Sequence, residues 1–130
     1  CALTLRKPHQ KNKYTQALEI ARFASAPWTQ VRGGFSKLLK AAETYAKNQG
    51  YVQLVSYCDL RFGTGEVYSK TGFELANQNT GLNYWYTDGL VRHDRFKFRA
   101  QPGKPEAQVA LENGVFKVFG CGNVLYTKAL

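Results

Sequence analysis

The sequence predicts a mixed α/β fold with a mainly antiparallel sheet, and three observations predict it. Residues Gly34 to Gln49 place Phe35, Leu38, Leu39, Ala42, Tyr45 and Ala46 at helical spacing, a single apolar stripe with lysines opposite. Around that helix, short β-prone runs are separated by Gly, Pro, Asn and Asp, the punctuation of strands. Asp88-Gly89 is a hairpin dipeptide between an aromatic run and a Phe-rich one.

Taken in order, Ala2 to Lys7 alternates apolar and polar residues and reads as a short strand. Pro8 to Tyr14 is polar and basic and reads as a loop. Gln16 to Ser25 is a second strand, ended by Pro27. The helix from Gly34 follows and stops at Gly50, the residue type that accepts a left-handed cap. Tyr51 to Tyr57 is largely apolar and reads as a central strand. Gly63 and Gly65 mark a loop, Glu66 to Thr71 a short second helix closed by Gly72, and Phe73 to Ala76 another strand. Asn83 to Thr87 and Leu90 to Arg99 are predicted as the two arms of the Asp88-Gly89 hairpin. Pro105 opens a helix over Glu106 to Asn113, with Gly114 just past its end. Val115 to Phe119 and Val124 to Thr127 are expected to form a C-terminal hairpin.

The chain has 130 residues, which favours one domain, 1–130. It starts at Cys1 and contains no methionine, so a fragment or processed piece is expected. Hydrophobic residues are 44% and charged residues 21%, which argues against wholesale disorder. No apolar run approaches the roughly 18 residues of a membrane span, and the polar, basic start is no signal peptide. Cys1, Cys58 and Cys121 show no C-x-x-C spacing, and His9 and His93 are isolated. No metal or redox centre is therefore expected, and a reducing, cytoplasmic setting is.

The net charge of +9 favours an anionic partner, nucleic acid or an acidic cofactor, over a plain solubility surplus. Gly89 to Lys104 holds Arg92, Arg95, Lys97, Arg99 and Lys104 against Asp94 alone. As a strand, it would put Arg95, Lys97 and Arg99 on one face and turn Phe96 and Phe98 to the core. A row of cations suits a phosphate backbone, and one or two of Tyr84, Trp85 and Tyr86, just across the predicted hairpin, could stack on a base. The alternative is a solvated outer face.

Gln30-Val31-Arg32-Gly33-Gly34-Phe35-Ser36 runs from a strand end through a glycine turn into a helix N-terminus. Such a terminus presents unpaired N–H groups and favours an anion, with Arg32 beside it; a plain strand-to-helix turn is the other reading. Asp59, at the end of a strand beside a glycine loop, could serve as a general base, or equally cap the turn. Tyr68, read by itself, is a core tyrosine on a short helix. Cys58 reads as a small buried hydrophobe.

Gln30, Gly33 and Phe35 fall on the Q/R-x-x-G-x-G/A turn, and Tyr68, Gly72 and Phe73 on the Y-x-x-x-G-F segment, of the Gcn5-related N-acetyltransferase (GNAT) family. The chain resembles that family, with Phe35 standing where a small residue is usual. The resemblance implies acetyl-CoA or another acyl-CoA held by Gln30 to Ser36, and Tyr68 as the group that protonates the departing thiolate. Ser56 to Arg61, Asn83 to Tyr86 and Val118 to Asn123 further resemble the acetyltransferase-like domain at the C-terminus of phage homing endonucleases. They also resemble the Mom-type enzymes that modify adenine in DNA, where Asp59 matches the aspartate of an S-x-A-D segment. This implies action on or at DNA in the cytoplasm of an infected host, with any nuclease lying upstream in a longer chain. The alternative is a noncatalytic domain that targets such a nuclease to DNA. Set against that family, the usual first strand and following helices are expected either to lie upstream in a longer protein or to be absent from a minimal version of the fold.

Overall fold

The computed structural model describes residues 1–8, 15–77 and 83–130. The chain forms two compact units. The first is Cys1–Thr80 with Asn123–Leu130, and the second is Gly81–Gly122. The predicted loop before Tyr14 falls largely outside the described residues, as does His9.

The first unit is a five-stranded sheet carrying one long helix. Its elements are β1 (Ala2–Arg6), β2 (Ala17–Ala24), α1 (Gly34–Asn48), β3 (Gln53–Asp59), α2 (Glu66–Ser69), β4 (Glu74–Asn77) and β8 (Asn123–Ala129). The sheet order is β1-β2-β3-β8-β4. Only β2 and β3, joined through α1, run parallel; the other three pairings are antiparallel. Leu54, Val55 and Ser56 are wholly buried in the middle strand. The apolar stripe of α1 (Phe35, Leu39, Ala46) closes one face of the sheet over Leu18, Ile20, Leu54, Phe73, Val124 and Tyr126. Gly50 ends α1 with φ 79°, where the N–H groups of Gly50 and Tyr51 donate back to Lys47 and Ala46.

The opposite face buries Ala17, Val55 and Leu125. Glu19 alternates onto it from Ala17 and is 1% exposed. Its Oε1 accepts from the Arg6 guanidinium (Nε at 3.0 Å), an ion pair that ties β1 to β2. Arg6→Ala leaves a carboxylate buried without its cation. Because Arg6 is itself half-exposed, the expected cost is about 2–3 kcal/mol, below the range for fully buried pairs. Urea denaturation checks this, and a change under about 0.5 kcal/mol, the level of an ordinary surface substitution, would refute it.

The second unit contains β5 (Tyr84–Thr87), β6 (Arg92–His93), a 3-10 turn at Arg95–Phe98, α3 (Glu106–Glu112) and β7 (Phe116–Phe119). Its sheet order is β6-β5-β7, all antiparallel. Tyr86, Phe98, Val109 and Ala110 form its core. In sequence this unit lies between β4 and β8, which are neighbours in the first sheet.

Two expectations are corrected. The last two strands are not a hairpin: β7 pairs with β5, whereas β8 pairs with β3 and β4. Both runs are strand-like, but strand propensity does not name a partner. Nor is Leu90 to Arg99 one strand. Pairing with β5 covers only Arg92 and His93, and Asp94 then accepts from the Phe96 N–H at 2.9 Å and opens a 3-10 turn. A capping aspartate competes with strand pairing in this way.

Candidate functional site

The pairing of β2 with β3 runs from Ala17 and Gln53 to Ile20 and Ser56 and stops there. Yet β2 continues to Ala24 and β3 to Asp59. The cause lies on the other side of β2. Thr4 pairs with Arg22 and Leu5 with Ile20, so Ala21 is an extra residue in β2, a β-bulge. A bulge bends and twists its strand, which turns β2 away from β3. Between the parted strands is a cleft of about 370 Å³. Ala21, Arg22 and Phe23 line one wall and Tyr57, Cys58 and Asp59 the other, with Phe35, Phe62 and Tyr68 around them.

Tyr68 sits on α2, which starts directly after Gly65. Its half-buried ring is packed edge-on against Phe35 and Phe73 and stacked on Tyr126. Ser56 Oγ, at the fork of the two strands, lies 2.8 Å from the Tyr68 hydroxyl and 3.1 Å from the Ile20 carbonyl oxygen. The carbonyl can only accept, so Ser56 donates to it and Tyr68 donates to Ser56. Burial pushes the Tyr68 phenol above its ordinary pKa, so it holds its proton throughout the neutral range.

Asp59 lies at the cleft wall, but its carboxylate is engaged. Oδ1 accepts from the Arg61 backbone N–H at 3.0 Å, and both oxygens take Arg61 Nε at 3.0 Å. Of the two roles the sequence left open, this geometry is the turn-forming one. Cys58 donates to the Gly63 carbonyl, and burial, with Asp59 next, pushes its thiol up, away from the reactive thiolate.

The predicted anion-binding run forms the entry to α1. Gln30, Val31, Arg32 and Ser36 are exposed. Gly33 is the N-cap with φ 69°, no side chain caps the terminus, and no acid occupies its first turn. Gly34 is buried; a Cβ there would lie 2.8 Å from Cys1 Sγ. Phe35 departs from the small residue of the motif because it is a core residue, edge-on to Phe23 and Tyr68. Of this run, Phe35 also lines the cleft.

Sequence reasoning missed Ser56 as a site residue, and missed the bulge. An isolated serine inside an apolar strand was the available signal, since a buried hydroxyl must find partners.

In the second unit the aromatic and basic residues are rearranged relative to expectation. Tyr86 is 1% exposed and cannot stack on a base. Tyr84 and Tyr86 both donate to Glu106 Oε1, at 2.9 and 2.5 Å. Burial, then that bond, pushes Tyr86 up to about 12. Phe96 is 53% exposed rather than turned to the core, while Phe98 is buried. Arg95, Lys97 and Arg99 do not share a strand face, since 95–98 is a 3-10 turn. Arg92 lies over the Trp85 ring at 4.5 Å, and Arg99 over Phe96 at 4.1 Å.

No family model matches the sequence, and no curated protein matches it. Among solved structures the chain is similar to an IAA acetyltransferase from Bacillus cereus ATCC 14579, with a TM-score of 0.52 and 18% identity. The likeness covers 98% of this chain and 68% of that one. The fold is GNAT-like. The mixed α/β class and mainly antiparallel sheet predicted from sequence agree with it. Among the described residues there is no cluster of three His, Cys, Asp or Glu side chains, and no helix is long and apolar enough to cross a membrane.

Proposed function

We propose that the first unit is an acyl-CoA-dependent N-acyltransferase domain, with the cleft between β2 and β3 as its active site. The observation that carries this reading is the fork itself: a strand ladder that stops at Ser56, with a protonated tyrosine hydrogen-bonded to the serine at the branch point. Beyond the fork, the edge of β2 from Ala21 to Ala24 no longer pairs with β3. Such an edge suits an extended, amide-bearing chain, which can add to it as a strand would. The arm of a coenzyme A thioester has that form, and the cleft volume falls within the usual range for ligand sites.

Acyl-CoA, when bound, supplies an activated thioester carbonyl for an amine to attack. Residues of this chain do the rest. The uncapped N-terminus of α1 favours a phosphate group, with Arg32 as the adjacent cation. Gly33 lets the backbone take the left-handed turn that aims those N–H groups. Tyr68 holds a proton at its hydroxyl and serves as the proton source for the departing sulfur, and the proton that the amine nitrogen sheds on acylation restores the phenol. Asp59 and Arg61 hold the turn that forms one wall.

Within this reading the acceptor amine belongs to nucleic acid, as the resemblance to phage Mom-type enzymes implies, and the setting is a reducing cytoplasm, which suits three free cysteines. Isothermal calorimetry with acetyl-CoA tests it. Saturable binding is expected, weakened about tenfold in Arg32→Glu, because a cation beside the phosphate site is replaced by an anion. Absence of any binding at millimolar acetyl-CoA would refute the reading and favour a noncatalytic targeting domain.

A further inference from the structure

A concave site of about 350 Å³ lies within the second unit, lined by Asn83, Tyr84, Trp85, Asp94, Arg95 and Phe96. We propose that this site binds single-stranded nucleic acid, with aromatic and guanidinium planes taking bases and Arg92, Arg95, Lys97 and Arg99 taking phosphates. Its lining residues all belong to the second unit, and the proposal does not depend on the acyltransferase reading.

Charge comes first. Two further cations of this unit are matched locally, Lys104 with Glu112 and Lys117 with Glu106, and Asp88 accepts from the backbone N–H groups of Leu90 and Val91. Asp94, the acid of the basic strip, spends one oxygen capping the 3-10 turn. The four cations named are exposed and concentrated over eight residues of chain, which suits a polyanion.

Shape and chemistry then select the kind of polyanion. The three arginines are laid on rings. Arg95 lies over Tyr84 at 5.2 Å and over Phe96 at 5.0 Å, besides the Arg92–Trp85 and Arg99–Phe96 stacks. A guanidinium supported by a ring is flat and pre-oriented. It offers a stacking plane to an unpaired base and an N–H edge to a phosphate. Phe96, half-exposed, offers a further plane. Asn83 adds an amide that can reach a base edge. A duplex keeps its base faces stacked and hidden, so a concave aromatic site favours single strands.

The experiment is fluorescence anisotropy on the whole chain. Labelled oligonucleotides of about 12 residues, single-stranded DNA, single-stranded RNA and duplex DNA, span the usual site size. Single strands are expected to bind, with a slope of log affinity against log salt of about −3, from four phosphates at about −0.7 each. Phe96→Ala should weaken binding by roughly tenfold or more through lost stacking. Because that ring is exposed, the fold should be retained. Arg95→Gln with Arg99→Gln should bring the slope to about −1.4. The DNA and RNA arms show whether the 2′-hydroxyl is read, and tight binding of either supports the proposal. Three results would overturn it: no binding at about 50 mM salt, where such contacts are strong; duplex bound more tightly than single strand; or competition by acetyl-CoA, which would place the oligonucleotide in the cleft of the first unit.

Discussion

Tyr68→Phe is expected to lower the acyl-transfer rate by about 10²-fold at saturating acyl donor, with acetyl-CoA affinity unchanged. The substitution removes one hydroxyl and keeps the ring against Phe35, Phe73 and Tyr126. Ser56 still donates to the Ile20 carbonyl, so no buried group is stranded, and the stability cost should be about 1 kcal/mol, that of one hydrogen bond. The rate loss sits at the low end of general acid catalysis because a thiolate, with a conjugate acid near 8.5, leaves with little help. The pH profile gives a second readout. The Tyr68 pKa is raised, so the proton is present below the ordinary value and lost only above it. An alkaline fall in rate should therefore begin above about pH 10 in the natural protein and be absent from the variant. Steady-state kinetics across pH measure both effects. An unchanged kcat would remove Tyr68 from the reaction.

Gly65→Ala is expected to destabilise the first unit by about 3 kcal/mol, measured by denaturant unfolding. Two costs combine. Gly65 has φ 78°, where a side chain costs about 1–2 kcal/mol. Its new Cβ would also lie 2.4 Å from Tyr126 Cε2, on a ring that is buried, stacked on Tyr68 and hydrogen-bonded to the Thr64 carbonyl. Tyr126 cannot retreat without shifting Tyr68, so cleft function should fall as well. Neighbouring glycines separate the two costs. Gly72 has φ 82°, but its Cβ would meet only Lys128 at 3.5 Å, so Gly72→Ala should cost about 1–2 kcal/mol. Gly63 has neither constraint, and Gly63→Ala should stay within about 0.5 kcal/mol. Equal effects at all three positions would show that the Tyr126 contact is not what requires glycine at 65.

What could be read from the sequence was whatever depends on near neighbours. The stripe of α1 and its stop at Gly50, the turn at Gly33-Gly34, the short helix before Gly72 and α3 between Pro105 and Gly114 all appear close to their expected positions. Each depends on residues within a turn or two of one another: periodic side chains, a left-handed glycine, a proline at a helix start. Most strands were located for the same reason, because alternation is local, but Leu90 to Arg99 was not, since the Asp94 cap breaks it after His93.

Partners are another matter. Nothing in Phe116–Phe119 or Asn123–Ala129 indicates that one run joins β5 and the other enters between β3 and β4, since strand periodicity gives a face and not a neighbour. The bulge at Ala21 exists because β1 pairs with β2 out of step, and the fork at Ser56 exists because of that bulge. Glu106, 22 residues beyond Tyr84 and 20 beyond Tyr86, ties the Tyr86 hydroxyl down beneath the surface. Thus the residue types for chemistry, Tyr68 beside a glycine loop and cations beside aromatics, were determined by the sequence alone. Which of them meet, and around which cavity, was decided by pairings between strands far apart in the chain. Those pairings depend on shape and burial across the whole sheet, which no local window contains.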